Sequence, residues 1–406
     1  MMAPSPQGPR LKWLMAGVLR LLTSASGRKV NSEVKAARHF PRKLLVVKVH
    51  GMGDSVLIRA IMELLKRVHP EVEIGVMVGS ATRELMTSGL NVRSHGYDQG
   101  NVTPKTILST WWNIRQYRYE AIANFEQGST AGTAFLVSLG IREHVGFVAR
   151  NDNFKSRVLT YAVPFRECDS MWVSFLRLAK ALYPDLPDCH PSIHLHSSPE
   201  SENWADNWWR YHVGGYDRIA VAMHLGCGRG MDFKRWPLHR FVALGDWINS
   251  RWRRPVIILT GTKLERDIIC EFCNRFRGIA IDASHVGSIE RTGLVLKRCL
   301  FLVSNDTGVM HLGAALGTPT VGLFGATSPM QWAPLGKRAI YVRATSLQCS
   351  PCVNNYVNVT PLACTNRIVG ECMSDIPLET VENAIQSVLD DASRKQPEIS
   401  GSVMSR

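Results

Sequence analysis

Residues 304–319, SNDTGVMHLGAALGTP, decide the fold of this chain. They follow an apolar run at residues 299–303 that predicts a buried strand, and a second such run follows at residues 320–324. Between the runs, a polar turn containing a glycine leads into a helix of small residues that a Gly-x-Pro sequence ends. A helix N-terminus presents free N–H groups and the positive end of its dipole, so this strand–turn–helix–strand unit predicts an anion site.

Four residues of this turn are candidate ligands for a phosphate-bearing substrate: Asp306, Thr307, Gly308 and His311. The hydroxyl of Thr307 and the N–H of Gly308 can donate hydrogen bonds to phosphate oxygens. Asp306 would repel a phosphate unless it contacted a hydroxyl, an ammonium or a water, and a hydroxyl-rich sugar would supply such a contact. His311 either binds phosphate or positions Asp306; the alternative is a buried structural histidine.

The same strand–turn–helix pattern opens each half of the chain. In the first half, an apolar run at residues 44–49 leads into the turn HGMGDS at residues 50–55, and a helix is predicted to start at Ser55. In the second half, a strand predicted at residues 218–224 starts the pattern again. Such a repetition predicts an α/β protein with two Rossmann-like domains facing a central cleft, followed by a C-terminal helix at residues 381–389.

The length of 406 residues is sufficient for two domains, each with its own core. We predict a basic N-terminal arm at residues 1–40, a first Rossmann-like domain at residues 41–195, a second at residues 196–392, and a disordered tail at residues 393–406. A proline-rich stretch at residues 184–199 has the composition of an interdomain linker.

Asp54 lies at the predicted carboxyl end of the first strand, in a Gly-Met-Gly-Asp turn. A carboxylate that faces a cleft there could act as a general base, and the alternative is an N-cap for the following helix. Gly51 and Gly53 would let a substrate approach the backbone closely. The turn lacks the full Gly-x-Gly-x-x-Gly pattern, and no acidic residue ends the next strand, so NAD binding is not predicted.

Three further residues are candidates for holding a nucleotide. Lys234 and Arg235 precede Trp-Pro at a helix entry and could neutralise a diphosphate; the alternative is a solvated basic pair. Glu265 could bond a ribose diol with both carboxylate oxygens or simply stabilise the first turn of a helix. No metal ion is predicted, because no Asp-x-Asp pair and no histidine–carboxylate set with metal spacing accompanies them.

The formal net charge of +14 is concentrated near the N-terminus, since ten lysines and arginines face a single acidic residue in the first 50 positions. An apolar segment at residues 11–22 carries Lys12 and Arg20, which favours an amphipathic helix in an anionic membrane interface. A flexible leader, a helix packed on the domain and a signal peptide are the alternatives. No apolar run is long enough to predict a membrane span.

Four of the ten cysteines cluster in one segment near the C-terminus: Cys349, Cys352, Cys364 and Cys372. A Cys-x-x-Cys pair followed by two more cysteines could hold a structural zinc ion. Seven residues separate Cys364 from Cys372, which is unlike the spacing of a zinc-ribbon knuckle, so reduced thiols that pack in a loop, or one disulfide, remain open as well.

Three motifs together resemble glycosyltransferase family 9, the lipopolysaccharide heptosyltransferases. They are the turn ending at Asp54, the Lys-Arg-Trp-Pro sequence at residues 234–237, and the Asp-Thr-Gly-x-x-His sequence from Asp306 to His311 with the Gly-x-Pro and Leu-Phe-Gly-x-Thr-x-Pro sequences after it. The resemblance covers residues 42–392. It implies a GT-B fold in which the N-terminal domain holds the acceptor and the C-terminal domain holds a nucleotide-sugar.

The resemblance also implies an inverting, metal-independent transfer of heptose from ADP-heptose, as co-substrate and without a further cofactor, to a lipid-linked core glycan. Asp54 would deprotonate the acceptor in a loop with Gly51, Gly53 and Ser55, and Lys234 and the Gly308 helix N-terminus would stabilise the leaving diphosphate. The remaining donor-binding residues would be Arg235, Glu265, Asp306, Thr307 and His311.

The family suggests a cytoplasmic enzyme, peripheral at the inner membrane, with an anionic membrane surface contacted by residues 1–40 and no nucleic-acid partner. Two other functions remain open on the same fold. One is a nucleotide-sugar epimerase or hydrolase, and the other is a non-catalytic nucleotide-sugar-binding protein.

Overall fold

The computed structural model describes residues 40–97, 103–127, 130–149, 152–166, 168–194, 197–215, 218–228, 230–344, 346–353 and 364–390. The predicted arm, apart from Phe40, and the predicted C-terminal tail lie outside the described residues. The chain divides into two compact units between Cys189 and His190, within the stretch predicted as the linker. No helix of the described residues is both long and apolar enough to cross a membrane.

The first unit is built on a parallel sheet. Its strands are β1 (Lys43–Lys48), β2 (Glu73–Gly79), β3 (Val92–Tyr97), β4 (Ala121–Asn124), β5 (Glu143–Val148) and β6 (Tyr161–Pro164). Its helices are α1 (Met52–Val68), α2 (Arg83–Thr87), α3 (Pro104–Gln116), α4 (Thr130–Ser138), α5 (Lys155–Val158) and α6 (Met171–Lys180). The strand order across the sheet is β3-β2-β1-β4-β5-β6. β1 pairs on both sides, so its apolar side chains are buried on both faces.

The second unit repeats this architecture. Its strands are β7 (Ala220–His224), β8 (Val256–Thr260), β9 (Ile279–Asp282), β10 (Leu302–Asn305), β11 (Thr320–Phe324) and β12 (Ala339–Arg343). Its helices are α7 (Pro199–His212), α8 (Leu238–Arg251), α9 (Arg266–Arg275), α10 (Ile289–Lys297), α11 (Gly308–Ala315), α12 (Pro329–Trp332), α13 (Glu371–Ser374) and α14 (Leu378–Asp390). The strand order is β12-β11-β10-β7-β8-β9. The predicted α/β architecture of two Rossmann-like units with a C-terminal helix is therefore confirmed.

The apolar core of the second unit explains why α14 forms. This helix packs on β11, β12 and α8, and it buries Val381, Ile385 and Val388. Their spacing of three and four residues places them on one face of the helix. They join a cluster that includes Trp236 and Phe241, whose rings meet edge to face at 4.9 Å.

The strand predicted at residues 299–303 is shifted in the structure. β10 starts at Leu302, which pairs with Thr320, and it ends at Asn305, which pairs with Leu323. The polar residues after Val303 favour a strand end there. Asn305 nevertheless stays in the strand, because its side chain finds hydrogen-bond partners inside the unit.

Both sheets reverse their strand order at one point, between β1 and β4 in the first unit and between β7 and β10 in the second. Ligands of open α/β sheets bind outside the carboxyl ends of the strands at such a switch point. The loops that follow these four strands are therefore where the candidate site residues should lie.

Candidate active site

The turn after β1 places Asp54 at the switch point of the first sheet. The helix α1 begins at Met52, with Gly51 as its N-cap, so the predicted helix start at Ser55 and an N-cap role for Asp54 are both wrong. Gly51 has a φ of 88°, and a Cβ there would lie 3.0 Å from Oδ2 of Asp54. Gly53 lies inside α1, and Ser55 is fully buried, with Oγ donating to the carbonyl of Gly51 at 2.9 Å.

Lys48, the last residue of β1, forms a buried ion pair with Asp54. Its Nζ lies 2.5 Å from Oδ2 of Asp54 and 3.8 Å from Oε2 of Glu126. Lys48 is 3% exposed and Asp54 is 9% exposed. Burial by itself would lower the pKa of Lys48, but the charges of Asp54 and Glu126 raise it above its ordinary value. Lys48 is therefore an ammonium between two carboxylates.

Glu126 follows β4, the neighbour of β1 at the switch point. Its Oε1 accepts hydrogen bonds from the N–H of Val49 at 2.6 Å and of His50 at 3.0 Å, and the Nδ1 of His50 lies 3.5 Å away. Burial would raise the pKa of Glu126, but the His50 ring, Lys48 and the two backbone N–H groups lower it to about 2. Sequence reasoning missed Lys48 and Glu126. The available signal was a charged residue at, or just after, the end of an apolar strand.

In the second unit, Lys234 and Asp306 meet at the switch point between β7 and β10. Lys234 ends a 3₁₀ turn, Asp232–Lys234, and its Nζ donates to Oδ2 of Asp306 at 2.9 Å. Burial would raise the pKa of Asp306, but Lys234, His311 and the Thr327 hydroxyl hold it below its ordinary value. Of the three contacts that would let Asp306 stand beside a phosphate, a hydroxyl, an ammonium or a water, the structure shows an ammonium, that of Lys234.

The N-terminus of α11 follows directly after this aspartate. Thr307 is the N-cap of α11, and its hydroxyl makes no capping bond. Gly308 is the first residue of the helix, so its N–H belongs to the first turn, whose donors have no partner within the helix. His311 is buried one turn later, with its ring 6.2 Å from that of Trp332. The structure therefore brings together the predicted anion-site residues.

Asn305 ties the Lys234 turn to the ends of two strands, and sequence reasoning missed it. Its Nδ2 donates to the carbonyls of Leu225 at 3.1 Å and Gly226 at 2.9 Å, while its Oδ1 accepts from the N–H of Trp236 at 3.0 Å. Asn305 is fully buried. These three bonds fix the backbone just beyond Lys234 relative to the end of β10, which carries Asp306.

Glu265 lies next to the loop after β7, and its two oxygens have different surroundings. Oε2 accepts from the N–H of Thr262 at 2.8 Å in a capping box, which is the helix-stabilising alternative considered for this residue. Oε1 lies 3.7 Å from Nε2 of His224, whose pKa burial lowers even though Glu265 acts to raise it. A Cβ at Gly226 would overlap Oε1 of Glu265, so a larger residue there would displace this carboxylate.

Arg235 has a partner on its own turn. Its Nη2 lies 2.9 Å from Oδ1 of Asp232, and its side chain is 29% exposed. The two neighbouring cations therefore differ: Lys234 reaches the aspartate at the end of β10, whereas Arg235 forms a local ion pair.

The four cysteines near the C-terminus are free thiols. Cys352 and Cys364 pack against a small apolar cluster that contains Phe233, and Sγ of Cys372 lies against Gly325. Burial, with the other three thiols, raises the pKa of Cys372 to about 11. Among the described residues, no group of three or more histidine, cysteine or acidic side chains is placed to hold a metal ion. Cys352, Cys364 and Cys372 thus make packing contacts.

Two Rossmann-like units, each with charged groups at its switch point, have the architecture of the GT-B fold. A family model for "Glycosyltransferase family 9 (heptosyltransferase)" matches residues 107–362, which is more than half of the chain. The chain belongs to glycosyltransferase family 9, and it is a glycosyltransferase.

Individual relatives agree with this assignment. The chain is 20% identical over 296 residues to the lipopolysaccharide core heptosyltransferase OpsX of Haemophilus influenzae, covering 72% of this chain and 82% of the relative. Its fold resembles that of a family 9 glycosyl transferase from Veillonella parvula, with a TM-score of 0.69, 16% identity, and coverage of 86% and 97%. It also resembles the ADP-heptose lipopolysaccharide heptosyltransferase II of Escherichia coli, with a TM-score of 0.66, 18% identity, and coverage of 87% and 100%.

Proposed function

We propose that this glycosyltransferase transfers heptose from ADP-heptose to a lipopolysaccharide core or a related lipid-linked glycan, with inversion and without a metal ion. The observation that carries this is the Lys234–Asp306 pair beside the N-terminus of α11, inside the region that the family model matches. The names of the Haemophilus influenzae and Escherichia coli relatives support the donor and the acceptor class.

Asp54 is the proposed base. Its carboxylate takes the proton of an acceptor hydroxyl while that oxygen forms a bond to the anomeric carbon of the donor. The bond from the anomeric carbon to the diphosphate oxygen breaks at the opposite face, its electron pair stays on that oxygen, and ADP leaves. Attack from the face opposite the leaving group inverts the configuration. Gly51 and Gly53 give the acceptor access to this turn.

The second unit is the proposed donor site. Lys234 and the first-turn N–H groups of α11, beginning with Gly308, stabilise the charge that develops on the diphosphate. Asp306, whose charge Lys234 offsets, accepts a hydrogen bond from a hydroxyl of the sugar. The remaining proposed donor-binding residues hold the phosphates or the ribose: Arg235, Glu265, Thr307 and His311.

Transfer assays with the full chain test this function. The purified protein is incubated with a heptose-deficient core glycan and with ADP-heptose, a UDP-sugar or a GDP-sugar, and the anomeric configuration of the product is read by NMR. We expect transfer from ADP-heptose only, undiminished by EDTA, and abolished by Asp54→Asn. Release of free sugar or of an epimer without acceptor would instead favour a hydrolase or epimerase. Donor binding without any turnover would indicate a binding protein.

We also propose a cytoplasmic, membrane-peripheral location, with residues 1–40 contacting anionic lipid. The basic, amphipathic sequence of this arm supports it. Sedimentation with phosphatidylglycerol-containing vesicles should fall when residues 1–40 are deleted, while activity on a short, lipid-free acceptor persists. If the truncated chain sediments with the vesicles as well as the full chain does, residues 1–40 have no role in membrane binding.

A further inference from the structure

The ammonium of Lys48 is nearly inaccessible to solvent and has carboxylates on two sides. Asp54 approaches it to 2.5 Å and Glu126 to 3.8 Å, and the ring of Phe175 on α6 lies 6.0 Å from Nζ. A buried charge is costly without a partner, and Lys48 has two unequal ones. One of these is the proposed base, and the other has no place in the reaction so far described.

We propose that Lys48 and Glu126 are positioning residues that act in opposite directions on Asp54: Lys48 holds Asp54 ionised and oriented, and Glu126 weakens that hold by sharing the ammonium. This inference rests on the proposed role of Asp54 as the base. It assigns to the first unit a three-residue network, Lys48–Asp54–Glu126, that sets the charge of the base before substrate arrives.

Glu126 suits this role because it is fixed as a carboxylate. Two backbone N–H groups, of Val49 and His50, donate to the same oxygen, Oε1. Its other oxygen, Oε2, faces Lys48. A carboxylate that accepts several N–H bonds resists protonation, so a proton arriving in this network goes to Asp54 rather than to Glu126.

The network also explains what happens to Lys48 after proton transfer. When Asp54 has taken the proton of the acceptor hydroxyl, it is a neutral carboxylic acid, and a single buried ion pair would leave Lys48 without a counter-ion. Glu126 remains ionised and keeps one negative charge beside Lys48. The buried ammonium therefore has a partner both before and after the chemical step.

Other charged groups around the network come from three elements. His50, in the turn after β1, faces Glu126, and its side chain is 66% exposed. Lys155, at the start of α5, donates to the carbonyl of Gln127 at 2.6 Å and has Asp152 at 3.8 Å. Lys155 also interacts electrostatically with Glu126. On α1, Arg59 and Glu63 form an ion pair with each other, and Arg59 also donates to the carbonyl of Leu85.

The test is the pH profile of kcat/KM for Lys48→Met and Glu126→Gln in the full chain. Removing a cation beside a carboxylate raises its pKa, so the acidic limb of Lys48→Met should move to higher pH by about one unit or more. Removing the competing carboxylate should move the acidic limb of Glu126→Gln to lower pH. A merely structural role for either residue would lower activity without moving the limbs in opposite directions.

Lys43→Met is the matched control, because Lys43 begins the same strand and pairs with Glu73 at 3.5 Å in an exposed position. Its acidic limb should stay at the wild-type pH. Lys48→Arg, which keeps the cation, should also retain the wild-type limb. If Lys48→Met does not fold, as judged by circular dichroism and gel filtration, the limb of Glu126→Gln decides by itself.

Limbs that stay in place, or that move in the same direction, would overturn this inference. The base assignment is tested separately by Asp54→Asn. Wild-type turnover in Asp54→Asn would disprove the assignment of Asp54 as the base. If Asp54→Asn is inactive but the acidic limbs of Lys48→Met and Glu126→Gln do not move, only the roles of Lys48 and Glu126 are disproved.

Discussion

Lys234 and Asp306 are 72 positions apart in the sequence, and their side chains meet at 2.9 Å. Their side chains are only 15% and 10% exposed. Lys234 comes from a 3₁₀ turn and Asp306 from the end of a strand, so the pair joins two loops at the switch point of the second sheet. A carboxylate can stand beside the proposed anion site at the N-terminus of α11 because an ammonium offsets its charge.

Replacing Lys234 with methionine should lower kcat by roughly 10²-fold or more, because the leaving diphosphate loses its cation. It should also lower the free energy of unfolding by about 3 kcal/mol, since Asp306 keeps an unpaired charge. The double variant Lys234→Met/Asp306→Asn should recover stability but not activity. Lys263→Met, on an exposed turn of the same unit, is the control. Transfer assays and urea titrations provide the two readouts, and a double variant with restored kcat would contradict the assigned role.

Asn305→Asp should be among the most destabilising isosteric changes in the second unit. The new carboxylate oxygen would face the carbonyls of Leu225 and Gly226, which now accept from Nδ2, and the loss should be about 2–3 kcal/mol or more. Because Asn305 also holds the N–H of Trp236, the KM for the donor should rise. Asn274→Asp, on the exposed face of α9, should leave both the urea midpoint and KM unchanged. Equal stability of Asn305→Asp and Asn274→Asp would show that the three hydrogen bonds of Asn305 do not stabilise the second unit.

Gly226→Ala should displace the carboxylate of Glu265, because the added Cβ would overlap Oε1. If Glu265 holds the ribose of the donor, ADP should bind more weakly, as measured by calorimetry. Gly226→Ala/Glu265→Ala should melt closer to the wild type than Gly226→Ala does, because the clash has been removed, yet still bind ADP weakly. ADP affinity that is unchanged in both variants would limit Glu265 to its capping role.

The acid stability of the first unit should depend on Glu126. Its pKa falls from 4.5 to about 2 on folding, so its stabilising contribution is present above pH 4.5 and is lost as the pH falls through about 2. The difference in unfolding free energy between wild type and Glu126→Gln should therefore be constant near neutral pH and shrink by roughly 3 kcal/mol across that window. Glu73→Gln, which removes a carboxylate from an exposed ion pair, is the control. Urea titrations at several pH values measure both.

Much of the fold follows from the sequence, because buried parallel strands are continuous apolar runs that end at glycine turns. The central strand β1 and the strand β11 were recognised in this way. The edge strand β3, with the sequence VRSHGY, has no such pattern and becomes a strand because it pairs with the backbone of β2. Asn305 is disfavoured in strands by propensity, and its three hydrogen bonds override that preference.

The candidate site was predictable only in part. Asp54, Lys234 and the residues from Asp306 to His311 stand in motifs, and local spacing places them at loops. Lys48 and Glu126 are separated by 78 positions and approach each other only because β1 and β4 are neighbours in the sheet. Their proximity therefore cannot be predicted from the sequence until the strand order of the sheet is known.

The division of the chain between Cys189 and His190 has a practical consequence for engineering. Each unit completes its own sheet and its own core, so this junction is a natural place to splice halves from two family members. In such chimeras, the origin of the second half should dictate which nucleotide-sugar is consumed, and the origin of the first half should dictate which glycan is extended. Acceptor preference and donor preference would then be inherited as separate modules.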